Sequence, residues 1–144
     1  MPDGLNILVV DDDLSILEVM GEYLREQGHM VETRNNGREA LDALRDSEFA
    51  LVISDGKMAG MDGFEFVQVA RRNYPDLAII LMTAHESEYP LSESLRAGAD
   101  GYVTKPFSLK KFSLIFNEEY WRALGRDDWW DAHGAKARGQ QGDF

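Results

Sequence analysis

Two rhythms of apolar residues run through this chain. The first is the short unbroken run: Asn6–Val10, Phe49–Ile53, Leu77–Met82 and Gly101–Thr104. Runs this short, rich in β-branched residues and bounded by turn formers, predict buried strands. The second is the stripe at three- and four-residue spacing. Leu14–Gln27 carries Leu14, Leu17, Met20 and Leu24, widened by Ile16 and Tyr23, which predicts an amphipathic helix closed by Gly28. Arg38–Arg45 turns Ala40, Leu41 and Leu44 inward, and Phe64–Arg72 does the same with Phe66, Val67 and Ala70. Pro90–Ala97, with Leu91 and Leu95 inward, is a short helix closed by Gly98. Leu109–Leu124 is the last helix, with Leu109, Phe112, Ile115, Phe116 and Tyr120 on one side. Met30–Arg34 alternates apolar with polar, as a strand with one wetter face does at a sheet edge.

Breakers separate these elements. Asn35-Asn36-Gly37 is a turn signal, and Asn73-Tyr74-Pro75-Asp76 ends a helix because proline disfavours helical geometry just before itself. Strand and helix therefore alternate five times, with crossovers of the usual length. That order predicts an α/β domain with a five-stranded parallel sheet and helices on both faces.

At 144 residues the chain has the length of about one domain and can bury a core without a staple. It has no cysteine, which excludes disulfides, thiolate catalysis and a thiolate-bound metal. No run of about 18 apolar residues predicts a membrane span. The start, MPDGLNILVVDDD, lacks the basic segment of a secretory signal. A net charge of -11 opposes nonspecific nucleic-acid binding, so no direct nucleic-acid partner is expected.

The residues that end the apolar runs carry the chemistry. Asp11-Asp12-Asp13 follow the first run, Asp55 and a Gly-rich loop the next, Thr83-Ala84 another, and Thr104-Lys105-Pro106 the last. In an open parallel sheet, sites form at the carboxyl edge of the strands. Asp11, Asp12, Asp55, Thr83 and Lys105 supply three carboxylates, a hydroxyl and an amine. Such a set can hold a divalent cation and a transferable phosphoryl group. A calcium-loop reading of the acidic cluster fails, because Ile16 stands where that loop needs glycine. Asp13 reads as a helix N-cap. His29 and His133 read as surface residues, and Lys110-Lys111 as a solvated helix face.

VVDDD, LVISDGKMAGMDG, MTAH and GYVTKPF, in this order and spacing, resemble the receiver domain of two-component response regulators, of the stand-alone chemotaxis-regulator type. The resemblance covers about residues 5 to 123. It implies a flavodoxin-like doubly wound sheet with strand order 2-1-3-4-5. It implies that Asp55 is the phospho-acceptor and that Asp11, Asp12, Asp55 and the main-chain carbonyl of Lys57 hold Mg²⁺. Thr83 would hydrogen-bond the phosphoryl group, Lys105 would pair with it, and Tyr102 would be the aromatic switch that follows Thr83. The side chains of Lys57 and His85 would tune the lifetime of the phospho-aspartate. Where the family most often has proline in the acceptor loop, this chain has Ala59.

The resemblance further implies a cytoplasmic signalling switch rather than an enzyme, with self-catalysed phosphotransfer and autodephosphorylation. The expected phosphoryl source is a sensor histidine kinase or a histidine phosphotransfer protein, and the output is a downstream protein. The expected output and dimer face is the fourth helix, fifth strand and last helix. Residues 1–124 would form the receiver and 125–144 a tail without a separate output domain. Trp129-Trp130 would fold that tail onto the body or onto a second subunit. Two alternatives compete. An aspartyl-nucleophile phosphatase would need a second Asp two residues after Asp55, where Lys57 stands. A phosphate-independent docking relative would have lost acidic or lysine residues that this chain retains.

Overall fold

The computed structural model describes residues 4–58, 60–83, 97–105, 112–113 and 116–117. Five parallel strands form one sheet: β1 (Asn6–Val10), β2 (Met30–Arg34), β3 (Leu51–Asp55), β4 (Ala78–Thr83) and β5 (Gly101–Thr104), in the order β2-β1-β3-β4-β5. Between them run α1 (Leu14–Glu26), α2 (Gly37–Asp46) and α3 (Gly63–Asn73). Each helix begins at a side-chain cap. Asp13 accepts from the Ser15 amide, Asn36 from Glu39 and Asp62 from Phe64, so each satisfies a donor that the first turn leaves open.

Because strand side chains alternate, the sheet feeds two cores. One face sends Ile7, Val9, Ile53, Ile80 and Val103 against Leu17, Met20 and Leu24 of α1 and against Phe112 and Phe116. The other sends Leu8, Val10, Val52, Ile79 and Leu81 against α2 and α3. The central strands are buried on both faces, and so carry unbroken apolar runs. β2 lies at the edge, and its residues are exposed or half-buried, as the alternating pattern predicts. Among the described residues no helix is long and apolar enough to cross a membrane.

Three expectations need correction. The strand expected over Phe49–Ile53 is Leu51–Asp55. Pairing with β1 starts at Ile7↔Leu51 and pairing with β4 runs on to Asp55↔Met82, so the ladders rather than hydropathy set its ends, and Asp55 becomes part of the strand. Leu14, expected within the buried stripe of α1, is 67% exposed: it is the first residue of the helix, directly after the cap Asp13, and the packing on the sheet is carried by Leu17, Met20 and Leu24. His29, expected at the surface, is buried. Its Nδ1 accepts the Leu5 N–H at 3.0 Å, and its ring lies edge-on to Phe116 with centroids 5.2 Å apart. Packing of a distant aromatic over an otherwise ordinary turn residue causes that burial. The helix expected over Pro90–Ala97, most of Leu109–Leu124, and the whole tail with Trp129-Trp130 and His133 lie outside the described residues.

Candidate functional site

Strand order reverses between β1 and β3, and the crevice outside their carboxyl ends is where open α/β sheets bind ligands. Two aspartates line it. Asp55 is the last residue of β3, and Asp11 directly follows β1, whose Val10 is in register with Ser54. Lys105, the residue after β5, crosses the end of β4 to reach both. Its Nζ lies 2.8 Å from Asp11 Oδ2 and 3.4 Å from Asp55 Oδ2.

The backbone around these groups is tightly held. Asp11 is fully buried; its N–H donates to the Arg34 carbonyl at 3.2 Å, and its Oδ1 accepts the Asp13 N–H at 2.9 Å. Asp55 Oδ1 faces the Lys57 N–H at 3.4 Å, and the Gly56 N–H continues the ladder onto the Met82 carbonyl at 2.7 Å. Gly63, which opens α3, passes directly over this strand end. A Cβ there would lie 1.9 Å from the Asp55 carbonyl oxygen and 2.7 Å from Gly56 Cα, so only glycine fits. Sequence reasoning missed Gly63 as part of the site. The available signal was a glycine immediately before the helix predicted over Phe64–Arg72, a place where a missing side chain permits close approach of backbone.

Charge is unbalanced in this crevice. Burial pushes the Asp55 carboxyl up from 3.8 to about 6, and the negative charge of Asp11 pushes the same way; Lys105 and the Lys57 N–H only partly offset them. Burial alone would pull Lys105 down. Its hydrogen bond to Asp11 and the charges of Asp55 and Asp11 outweigh that and hold the amine above its usual value. Lys105 therefore stays an ammonium and neutralises only part of the acidic group. One carboxylate oxygen from each of Asp11, Asp12 and Asp55 lies within 4.8 Å of the others. These are hard oxygen donors in a partly open crevice, which is the donor chemistry Mg²⁺ takes, with room for the waters it retains. The residues present thus fit a Mg²⁺ ion.

Of the residues singled out from sequence, the structure brings together Asp11, Asp12, Asp55 and Lys105. Lys57 lends its backbone to the crevice while the residue itself is exposed. Thr83 is the last residue of β4, in register with Thr104. Tyr102, paired with Leu81, is half-buried and packs on the α2 and α3 side of the sheet. His85 and Ala59 lie outside the described residues.

Residues 7–116 match the family described as the response regulator receiver domain. The chain belongs to that family. Its curated relatives include the transcriptional regulatory protein ZraR of Klebsiella oxytoca, 38% identical over 81% of this chain and 26% of ZraR. The heme response regulator HssR of Staphylococcus epidermidis is 34% identical over 78% of this chain and 49% of its own length. This receiver chain thus spans from 26% to 49% of the length of these two relatives. Among solved structures it is similar to the chemotaxis response regulator CheY4 of Vibrio cholerae, with a TM-score of 0.76 and 33% identity, covering 81% of this chain and 99% of that one. It is also similar to the response regulator TrrA of Thermotoga maritima, solved with Mg²⁺-BeF, with a TM-score of 0.72 and 38% identity over 79% of this chain and 97% of TrrA. Receiver domains are signalling switches rather than enzymes in the usual sense. They bind Mg²⁺ at an acidic Asp cluster and interact with histidine kinases or phosphotransfer proteins.

Proposed function

We propose that this receiver accepts a phosphoryl group on Asp55 from a histidine kinase or a histidine phosphotransfer protein in the cytoplasm. Asp11, Asp12, Asp55 and the Lys57 carbonyl hold Mg²⁺ in this reading. The observation that carries it is the convergence of three carboxylates within 4.8 Å, with Lys105 bridging Asp11 and Asp55. The capture of Mg²⁺-BeF by TrrA supports the same assignment.

A carboxylate oxygen of Asp55 attacks phosphorus; an O–P bond forms as the N–P bond to the donor imidazole breaks, and the imidazole keeps the electron pair and takes a proton. The Lys105 ammonium, 3.4 Å from Asp55 Oδ2, meets the charge gathering on the phosphoryl oxygens. Mg²⁺, when bound, neutralises those oxygens and aligns acceptor with donor. Water later attacks phosphorus, the O–P bond breaks, and Asp55 and inorganic phosphate are released. Lys57 and His85 tune the lifetime of the acyl phosphate in this reading.

Thr83, at the end of β4, donates a hydrogen bond from its hydroxyl to the phosphoryl group, and Tyr102 turns inward in response. The face around the segment before Ala97, β5 and the last helix then changes for a downstream protein or a second copy of the chain. Residues 1–124 act as the receiver unit and 125–144 as a tail that modulates this face.

Incubation with radiolabelled acetyl phosphate tests the reading. Label should appear on the wild-type chain only with Mg²⁺ and be absent from Asp55→Asn, which keeps its fold. Equal labelling of Asp55→Asn, or labelling indifferent to Mg²⁺, refutes the assignment. A wild type that never labels leaves a phosphate-independent docking module instead.

A further inference from the structure

At the edge of the sheet opposite Asp55, one arginine gathers the start of β5. Arg71, in α3, donates from Nε to the Gly98 carbonyl at 2.9 Å and from Nη1 to the carbonyls of Pro75 at 2.9 Å and Leu77 at 2.6 Å. Its Nη2 meets Asp100 Oδ2 at 2.6 Å. That same Asp100 oxygen accepts the Ile79 N–H at 2.8 Å, and the Asp100 N–H returns a bond to the Ile79 carbonyl at 2.8 Å. Gly98 takes φ +114° and lies so close that a Cβ would stand 2.9 Å from Arg71 Cβ and Cγ. The guanidinium fork suits this task, since its five donors hold fixed directions that an ammonium cannot reproduce.

The clasp sits where register is weakest. β5 is four residues long, lies at the end of the sheet, and pairs only with β4, from Ile80↔Gly101 to Thr83↔Thr104. A slip of one residue would move Lys105 by about 3.3 Å along the strand and exchange the faces of Tyr102 and Val103. Lys105 has no such latitude, because its amine must meet Asp11 and Asp55 together. The double contact of Asp100 with Ile79 opens the β4–β5 ladder one residue before the strand, and Arg71 ties that start to α3.

We propose that Arg71 and Asp100 are positioning residues for Lys105: they lock the register of β5 from the far edge of the sheet, and so place the amine at the phosphoryl site. The consequence for phosphotransfer rests on the function proposed above; the register lock does not.

The test uses the full chain as wild type, Arg71→Ala, Asp100→Ala and Asp100→Asn. Amide hydrogen exchange reads the ladder. In both alanine variants, exchange across Tyr102–Thr104 should quicken by about ten- to a hundredfold, while the β1 amides keep wild-type protection. Asp100→Asn retains a carbonyl oxygen for the Ile79 N–H and should recover most of the protection, even if an alanine variant fails to fold. Mg²⁺ affinity by calorimetry should stay within about twofold, because its carboxylates sit just after β1 and at the end of β3. Labelling by acetyl phosphate at saturating Mg²⁺ should slow by about ten- to a hundredfold, as misplacement of a reacting group by an ångström does. Unchanged exchange in Tyr102–Thr104, unchanged labelling despite a loosened β5, or a parallel loss of β1 protection and Mg²⁺ affinity would each overturn the proposal. A wild type that does not label overturns the function proposed above, and the exchange data still decide the register lock.

Discussion

Asp55→Asn should make the metal-free protein more stable, and the size of the gain follows from the crevice. Asp55 is 5% exposed, and its carboxyl is raised from 3.8 to about 6 by burial first and by the charge of Asp11 second. The unfolded chain loses this proton near 3.8 and the folded chain near 6. Between those values the folded state holds a proton that the unfolded state has lost. The contribution of Asp55 is therefore fully favourable below 3.8, declines as pH rises through the window, and levels off above 6. At about 1.4 kcal/mol per pH unit, the ionised carboxylate costs about 3 kcal/mol at pH 7.5. Asparagine keeps the shape without the charge. It leaves Lys105 paired with Asp11 alone, so the expected gain is about 1–3 kcal/mol, or roughly 1 M in the urea midpoint. Urea titrations in EDTA near pH 7.5 and pH 4 measure it. The gain should vanish near pH 4, and Mg²⁺ should narrow the difference at pH 7.5 by binding the native wild type. An Asp55→Asn chain no more stable than wild type at pH 7.5, or a gain that persists at pH 4, would refute the reasoning. The crevice would then not be storing repulsion that a metal relieves.

Three further outcomes are expected. Gly63→Ala forces a methyl group against the Asp55 carbonyl, which is backbone and cannot step aside; stability should fall by about 1–3 kcal/mol or more in denaturant titration, with acetyl-phosphate labelling falling as well. Asp12→Ala removes one of the three clustered carboxylates, and calorimetry should find Mg²⁺ affinity reduced at least about tenfold. Burial first and the chain's amino terminus second hold His29 below its usual 6.5, so its contribution to stability is fully present above 6.5 and is lost as pH falls below it. In the Asp55→Asn background, urea midpoints should therefore decline between about pH 7 and 5.5, and His29→Gln, which can still accept the Leu5 N–H, should flatten that slope.

Among the described residues, periodicity alone determined the five strands, the first three helices and the parallel arrangement, because a strand buried on both faces cannot hide its unbroken apolar run and an amphipathic helix cannot hide its stripe. The residues grouped by chemistry could be found in the same way. In a parallel sheet every strand ends at one edge, so Asp11, Asp55, Thr83 and Lys105, each following an apolar run, arrive together whatever the details of packing. The family resemblance rests on those same positions. What needed the tertiary structure was everything set by pairing and contact between distant segments. The ladders onto β1 and β4, not hydropathy, moved β3 onward to include Asp55. Leu14, at the very start of α1, stays exposed while Leu17 meets the sheet, and the ring of Phe116 packs on the buried His29. The reach of Lys105 across the end of β4, the raised Asp55 carboxyl and the closeness of Gly63 to its carbonyl come from distances of a few ångströms between residues far apart in the chain. Arg71 gave no sign in the sequence of being more than another charge near the end of a helix. Its role depends on four partners that only the folded chain brings within reach. Local pattern specifies which residues face inward and which end a strand; the register between strands, and the electrostatics that follow from it, exist only once the chain has closed on itself.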